Sequence, residues 1–329
     1  MLRNSSVIKS YKAPAVVSKL YSLPGKALLF GEYGLLLGSP GVVVTLPAFR
    51  MQVSCVVQDA SSTPVIQIYS AFLKTGRATL RSDALEENGF FQGILAPYKA
   101  MLEQFYANGK DFVITIEKGF PPHLGVGSSS ALLASLHAFL FDYLSQGQEA
   151  PLTSPVFFHH LHDSLKRIQG TGSGYDATVQ LAASQMSHPQ LWRYQQPPIT
   201  PVPDFAPITG SSGHYGTLLA TQVYANTKVA LAQFSKEKHA KYAQAHAALA
   251  EAFLKDPCPD RCPTLIAKAQ HIQKQQGHLP NIDLINNLER ARVPFKSLGA
   301  GFGDCVWSPW TARQLQDFRP YIVTEILVP

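Results

Sequence analysis

Pro121-Pro122-His123-Leu124-Gly125-Val126-Gly127-Ser128-Ser129-Ser130-Ala131 lies between a stretch that alternates as a strand, Asp111 to Glu117, and an apolar stretch that reads as a helix from about Ser129 to Leu144. The first N–H groups of a helix have no intrahelical acceptor and carry the positive end of its dipole. A glycine-rich bend leading into such a start is therefore suited to hold an anion. The two glycines let the backbone turn tightly and come close to a ligand. The three serines add hydroxyls that can cap the helix, meet phosphate oxygens or hold Mg²⁺. No Lys-Ser/Thr pair closes the bend, so it is not a Walker A loop. Read alone, it fits an ordinary Gly-Ser turn with an N-cap equally well.

Two further segments alter that balance. Pro24-Gly25-Lys26-Ala27-Leu28-Leu29-Phe30-Gly31-Glu32-Tyr33 continues through Gly38-Ser39-Pro40, and Ser297-Leu298-Gly299-Ala300-Gly301-Phe302-Gly303-Asp304-Cys305 lies near the C-terminus. Together with the central loop they resemble, in order and at similar distances, the three motifs of the GHMP kinases: P-G-K-x-x-L-x-G-E-[HY], P-x-x-x-G-[LV]-G-S-S-[SGA]-[AS] and G-A-G-x-G-[GDA]-C. The likeness runs from about Leu20 to the C-terminus.

The resemblance implies an α+β fold. Residues 1–190 would form an ATP-binding domain like ribosomal protein S5 domain 2, and residues 210–329 a ferredoxin-like domain. It implies ATP and Mg²⁺ as cofactors. Pro122, Gly125, Val126, Gly127, Ser128, Ser129, Ser130 and Ala131 would wrap the triphosphate, with Ser128 or Ser129 helping to hold Mg²⁺. Lys26 would orient the acceptor hydroxyl and offset charge on the transferring group. The alternative is a solvated lysine at a strand end. Glu32 and Tyr33 would shape the acceptor pocket, although Glu32 suits a structural hydrogen bond equally well.

Gly172-Ser173-Gly174-Tyr175-Asp176-Ala177 is similar to the family's [PG]-S-G-x-D element. This makes Asp176 the expected catalytic base, a role compatible with N-capping the next helix. Ser173, Gly174, Gly301 and Asp304 would line the acceptor side, with turn-capping the plainer role for Asp304. Mevalonate kinases usually carry a magnesium-binding glutamate about three helical turns before the aspartate. Here His159-His160-Leu161-His162-Asp163-Ser164-Leu165-Lys166-Arg167-Ile168 has none. Either Asp163 would stand in, or serine and phosphate oxygens would suffice. The three histidines read as a solvated helix face, not as metal ligands.

The acceptor signals are mixed. Gln169-Gly170-Thr171-Gly172-Ser173-Gly174-Tyr175-Asp176 and Gly303-Asp304-Cys305 are similar to phosphomevalonate kinases. The first motif and Tyr224-Ala225-Asn226-Thr227-Lys228-Val229-Ala230 are closer to mevalonate kinases. Phosphomevalonate is placed slightly ahead of mevalonate. A phosphorylated acceptor needs extra cations, and Lys19, Arg50, Lys166, Arg167 and Lys228 are the candidates. A diphosphomevalonate decarboxylase, a sugar kinase and a non-catalytic ligand sensor on the same fold are the competing readings.

Composition agrees with a folded enzyme. Of 329 residues, 46% are apolar and 15% charged, enough for a core and too few charges for disorder. The net charge of +6 favours anionic partners. Its Lys and Arg are scattered, so a phosphorylated small molecule is expected and nucleic acid is not. Four cysteines are too few for a disulfide scaffold. Cys258 and Cys262, with His271 and His278, could be read as a zinc site, but reduced thiols are the expected state. With no signal segment or membrane-length apolar run, a soluble cytoplasmic protein without membrane partners is expected; a homodimer stays open.

Overall fold

The computed structural model describes residues 17–60, 63–70, 77–80, 89–170, 172–196, 202–210, 212–223, 236–277, 279, 282–298 and 304–329. Strands between Val17 and Pro207 build a seven-stranded sheet. Strands β1 (Val17–Phe30) and β2 (Gly41–Asp59) form a long antiparallel pair. β5 (Lys110–Lys118) pairs with the C-terminal half of β2, Gln52–Asp59, and β3 (Ile66–Ser70) and β4 (Arg77–Leu80) continue the sheet outward from it. β3 and β5 are parallel, and the other pairings are antiparallel.

The sequence reading gives short strands around 27–30, 41–44 and 52–57, because Pro24 and Pro47 interrupt the apolar runs. In the structure the strands run through both prolines. Pro24 pairs with Arg50 and Gly25 with Leu46, so Pro47, Ala48 and Phe49 are left over as a bulge. A bulge is where a strand tolerates a residue that cannot donate to the ladder.

The expected helix over 90–107 is broken into α1 (Gly89–Leu95), a 3₁₀ turn Ala96–Tyr98 and α2 (Lys99–Ala107). Pro97 has no N–H to continue the α-helical pattern. After β5 come α3 (Ser128–Ser145), α4 (Pro155–Gln169) and α5 (Tyr175–Ala182). Every residue of α3 from Ala131 to Phe141 is buried, which is why the segment is apolar all round. It packs on β1 and β2 and against α4 and α5.

The proline-rich stretch between Pro189 and Gly213 reads as a connection and surface loop. It instead contributes β6 (Gln190–Gln195), paired with Gly41–Thr45 of β2, and β7 (Asp204–Pro207) at the sheet edge. Leu191, Trp192 and Tyr194 carry the strand signal, which the surrounding prolines obscure.

β8 (Gly213–Ala220) opens a second, four-stranded antiparallel sheet. α6 (Lys236–Lys255), α7 (Cys262–Gln275) and α8 (Asp283–Arg290) follow, then β9 (Lys296–Ser297), β10 (Cys305–Ser308) and β11 (Ile322–Val328). The strand order is β11-β8-β10-β9. The two halves share a core. Phe30 of β1 meets Phe253 of α6 at 5.5 Å and Trp307 of β10 at 5.2 Å between ring centroids. The segments 224–235 and 299–303, which hold Lys228, Gly301 and most of the third glycine loop, lie outside the described residues. Among the described residues no helix is long and apolar enough to cross a membrane.

Candidate active site

The loop between β5 and α3 is flanked by three parts of the chain. On one side is β1: the Lys26 amide donates to the Val126 carbonyl at 2.9 Å. On another is α5, whose Gln180 side chain donates to the carbonyls of Pro24 (2.7 Å) and Gly127 (3.1 Å) and accepts from the Ser130 hydroxyl (2.8 Å). The third is the start of β10. Asp304 presses on Gly125, and the Cys305 thiol reaches the Leu124 carbonyl at 2.6 Å.

Gly125 and Gly127 have to be glycine for two reasons. Both have left-handed backbones, φ 63° and 87°. A Cβ on Gly125 would sit 2.3 Å from the Asp304 Cβ, and one on Gly127 would sit 2.7 Å from the Lys26 Cε. Gly127 is also the residue from which α3 starts. The first-turn amides of Ser128, Ser129 and Ser130 therefore face out of the helix end, as helix geometry requires.

The serines are not equivalent. The single Ser130 hydroxyl proton is shared between the Gln180 side-chain oxygen at 2.8 Å and the Gly127 carbonyl at 3.0 Å, which ties the serine to the loop itself. Ser129 is exposed and Ser128 half-buried.

Lys26, buried in β1, has its ammonium on the Asp176 carboxylate and 3.1 Å from the Tyr175 hydroxyl. It also lies 5.0 Å from the centre of the Tyr175 ring. Burial works against the Lys26 charge, but Asp176 and Tyr175 outweigh it and hold its pKa above the ordinary lysine value. Burial, reinforced by the neighbouring Asp176, raises the Tyr175 phenol above its ordinary value. Lys26 is thus not a solvated strand-end lysine. The Asp176 side chain keeps 33% of its surface exposed, so its carboxylate is braced by the cation yet reachable. It occupies the first turn of α5, which starts at the Gly174 bend. Thr178 donates to the Gly174 carbonyl at 2.9 Å, and Tyr194 donates to that of the buried Ser173.

Other expectations resolve differently. Glu32 takes the structural alternative: it is 1% exposed, bound to the Lys296 ammonium, with His246 Nδ1 2.9 Å from its other oxygen. Tyr33 has a left-handed backbone and stacks on His239 with its ring edge toward Tyr242. The Asp304 backbone ties the start of β10 to the chain just after β8. Its N–H reaches Val223 at 2.7 Å and its carbonyl accepts from the Thr221 amide at 2.6 Å. Its side chain adds the contact with Gly125.

Asp163 is engaged with Arg167 on the surface of α4, 3.0 Å apart. The solvated-histidine reading holds for His159 alone. His160 packs edge-on against Tyr98 at 4.8 Å, and His162 is half-buried beside Gly174. All four cysteines are free thiols. Among the described residues no group of three or more His, Cys, Asp or Glu side chains could hold a metal ion.

Sequence reasoning assigned no role to Gln180, Tyr175, Lys296 or His246. Gln180 had a usable signal: it is one helical turn after Asp176 and so shares its face.

Residues 94–183 match the family described as GHMP kinases N terminal domain. The mevalonate kinase of Aeropyrum pernix is 27% identical over 170 residues, 51% of this chain and 49% of that protein. The match thus spans about half the length of that relative. Among solved structures, Streptococcus pneumoniae phosphomevalonate kinase in complex with phosphomevalonate and AMPPNP superposes with a TM-score of 0.65 at 15% identity, over 94% of this chain and 100% of that one. Methanococcus jannaschii mevalonate kinase gives 0.62 at 14% identity, over 95% and 99%. Residues 94–183 are thus similar to the GHMP kinases N terminal domain, and the chain as a whole has the fold of these two solved kinases.

Proposed function

We propose that the chain transfers the γ-phosphoryl group of ATP to the hydroxyl of a mevalonate-type acceptor, phosphomevalonate ahead of mevalonate. The observation that carries this reading is the junction of Lys26, Asp176 and the Gly125–Ser129 bend. A cation, a reachable carboxylate and a helix start meet there, where a Cβ on either glycine would fill the space. Those donors fit a nucleotide triphosphate. Magnesium ATP, when bound, supplies the phosphoryl group and neutralises part of its charge.

The chain's own residues do the rest. The amides of the α3 start and the bend bind phosphate oxygens. Ser128 and Ser129 are the hydroxyls available to the metal, because Ser130 is committed to Gln180. Asp176 accepts the proton of the attacking hydroxyl, and Lys26 holds that carboxylate in place and offsets charge on the transferring group. Phosphoryl transfer of this kind depends mainly on positioning and charge stabilisation, so no covalent intermediate on the protein is required.

A specific observation favours mevalonate as the second reading. Three of the cations considered for a phosphorylated acceptor are engaged elsewhere. Lys19 is bound to Asp142, Arg167 to Asp163, and Arg50 to the carbonyls of Ser22, Ser184 and Met186. Incubation with Mg-ATP and each acceptor, read by ADP release with CO₂ measured in parallel, tests both. Turnover of galactose or homoserine instead would reject the acceptor class, and CO₂ release would indicate a decarboxylase.

A further inference from the structure

Three groups that the transfer step does not use are almost completely removed from water. Glu32 is 1% exposed, and Lys296 and His246 are 0% exposed. They come from distant parts of the chain: the turn after β1, strand β9 and the middle of α6. The Lys296 ammonium contacts Glu32 Oε1 and lies 3.3 Å from the Ser297 carbonyl. His246 Nδ1 lies 2.9 Å from Glu32 Oε2, and the Tyr242 ring covers the imidazole at 4.4 Å. Burial lowers the Lys296 pKa well below the ordinary lysine value and pulls that of His246 down to about 4. Such a cluster is poor value as a stabiliser, since apolar residues of similar volume often serve a core better than a buried ion pair.

The cluster's place in the chain suggests another use. Glu32 is six residues beyond Lys26 on the same segment. Lys296 pairs across the sheet with Trp307, two residues beyond Cys305. One partner thus belongs to the flank that delivers Lys26 to Gly127. The other belongs to the flank that delivers Asp304 and Cys305 to Gly125 and Leu124. Gln273 holds the Lys296 strand from the far side, donating to and accepting from the Ser297 backbone at 2.7 and 3.0 Å.

We propose that the Glu32–Lys296 pair, backed by His246, is a positioning latch that sets the spacing of these two flanks and so fixes both sides of the bend at once. The latch touches neither nucleotide nor acceptor; it acts through Lys26 and Asp304. Its effect on turnover rests on the kinase reading, whereas its effect on the two flanks does not.

The informative variant is the double substitution Glu32→Gln/Lys296→Met, which leaves no buried charge unpaired and so keeps the fold. Each single variant strands a buried charge and so destabilises the fold strongly. For the double variant the thermal midpoint should stay near that of the wild type, while kcat falls about 100-fold, the scale of an ångström-sized misplacement. Hydrogen exchange should quicken in 25–33 and 304–308 and remain unchanged in β3 and β5. A double variant with wild-type kcat and unchanged exchange in both flanks would overturn the latch. Should the wild type turn over no acceptor at all, the kinase reading fails by itself. The exchange result then decides the latch: faster exchange in the two flanks supports it, and unchanged exchange rejects it.

Discussion

The ammonium of Lys26 rests on the carboxylate of Asp176, with the Tyr175 hydroxyl 3.1 Å away as its second partner. The pair joins β1 to the first turn of α5, and the Lys26 chain passes beside Gly127 on its way there. Neither residue is placed by its neighbours in sequence. The Lys26 amide is fixed to Val126, and α5 is fixed to the same loop through Gln180. The loop that would hold the phosphates is therefore also the frame that brings the cation and the carboxylate together.

Asp176→Ala should lower turnover by several orders of magnitude while ATP still binds; general-base contributions of about 10²–10⁴-fold set the scale. Single-turnover kinetics beside a nucleotide-binding titration separate the two effects. An unchanged rate would remove Asp176 from the role of base.

The serines should divide by function. Ser129→Ala and Ser128→Ala should raise the Mg²⁺ concentration needed for half-maximal activity and leave stability nearly unaltered. Ser130→Ala should act through stability instead, by about 0.5–1.5 kcal/mol, since its hydroxyl bonds Gly127 and Gln180. Metal titration and denaturant unfolding on the same three variants check this division.

Gln180→Leu removes the donor to the Pro24 and Gly127 carbonyls and the acceptor for Ser130. A loss of about 1–3 kcal/mol in stability is expected from the Pro24 carbonyl and Ser130 hydroxyl that lose this partner, together with a rise in KM for ATP. A variant with wild-type stability and KM would mean that the loop needs no such brace.

Gly127→Ala meets both obstacles at once: a φ of 87° and a Cβ 2.7 Å from the Lys26 Cε. The left-handed backbone alone costs about 1–2 kcal/mol. Displacement of Lys26 should lower kcat beyond what that loss of stability explains, as read by activity measured well below the unfolding midpoint.

Acid should weaken the fold through His137. Its imidazole is 0% exposed, Nε2 lies 2.9 Å from Ser164 Oγ and Nδ1 lies 2.9 Å from the Tyr98 hydroxyl. Ser164 donates to the Ile94 carbonyl, so Nε2 carries the proton and Nδ1 accepts from Tyr98. Burial, helped by nearby His160, pulls its pKa from 6.5 to about 3. The folded state binds this proton less readily than the unfolded chain. Its contribution is thus fully present above about pH 6.5 and is lost as pH falls toward about 3. His246, lowered to about 4, acts in the same sense. Urea unfolding at pH 7 and pH 5 should show the decline, and His137→Leu should flatten part of it.

Much of this was legible in the sequence because the site is built from local backbone shapes. The glycine bend, the helix start after it and Asp176 at the start of α5 each leave a short signature. What the sequence concealed depends on partners far away in the chain. The strand Gln190–Gln195 is set among prolines, and it becomes a strand because β2 offers it an edge at Gly41–Thr45. Pro97 splits the helix expected over 90–107, and Pro47 makes a bulge where shorter strands were expected. Lys296 looks like any surface lysine until the fold removes it from water beside Glu32.

The central claim is that the bend beside Lys26 and Asp176 serves phosphoryl transfer to an alcohol. The most direct measurement is ADP formation by the purified chain with Mg-ATP and phosphomevalonate or mevalonate, with the phosphorylated product identified by mass. The account predicts one new phosphate on one of these acceptors for each ADP formed, without CO₂. ATP binding at the bend with no transfer to either acceptor would contradict it.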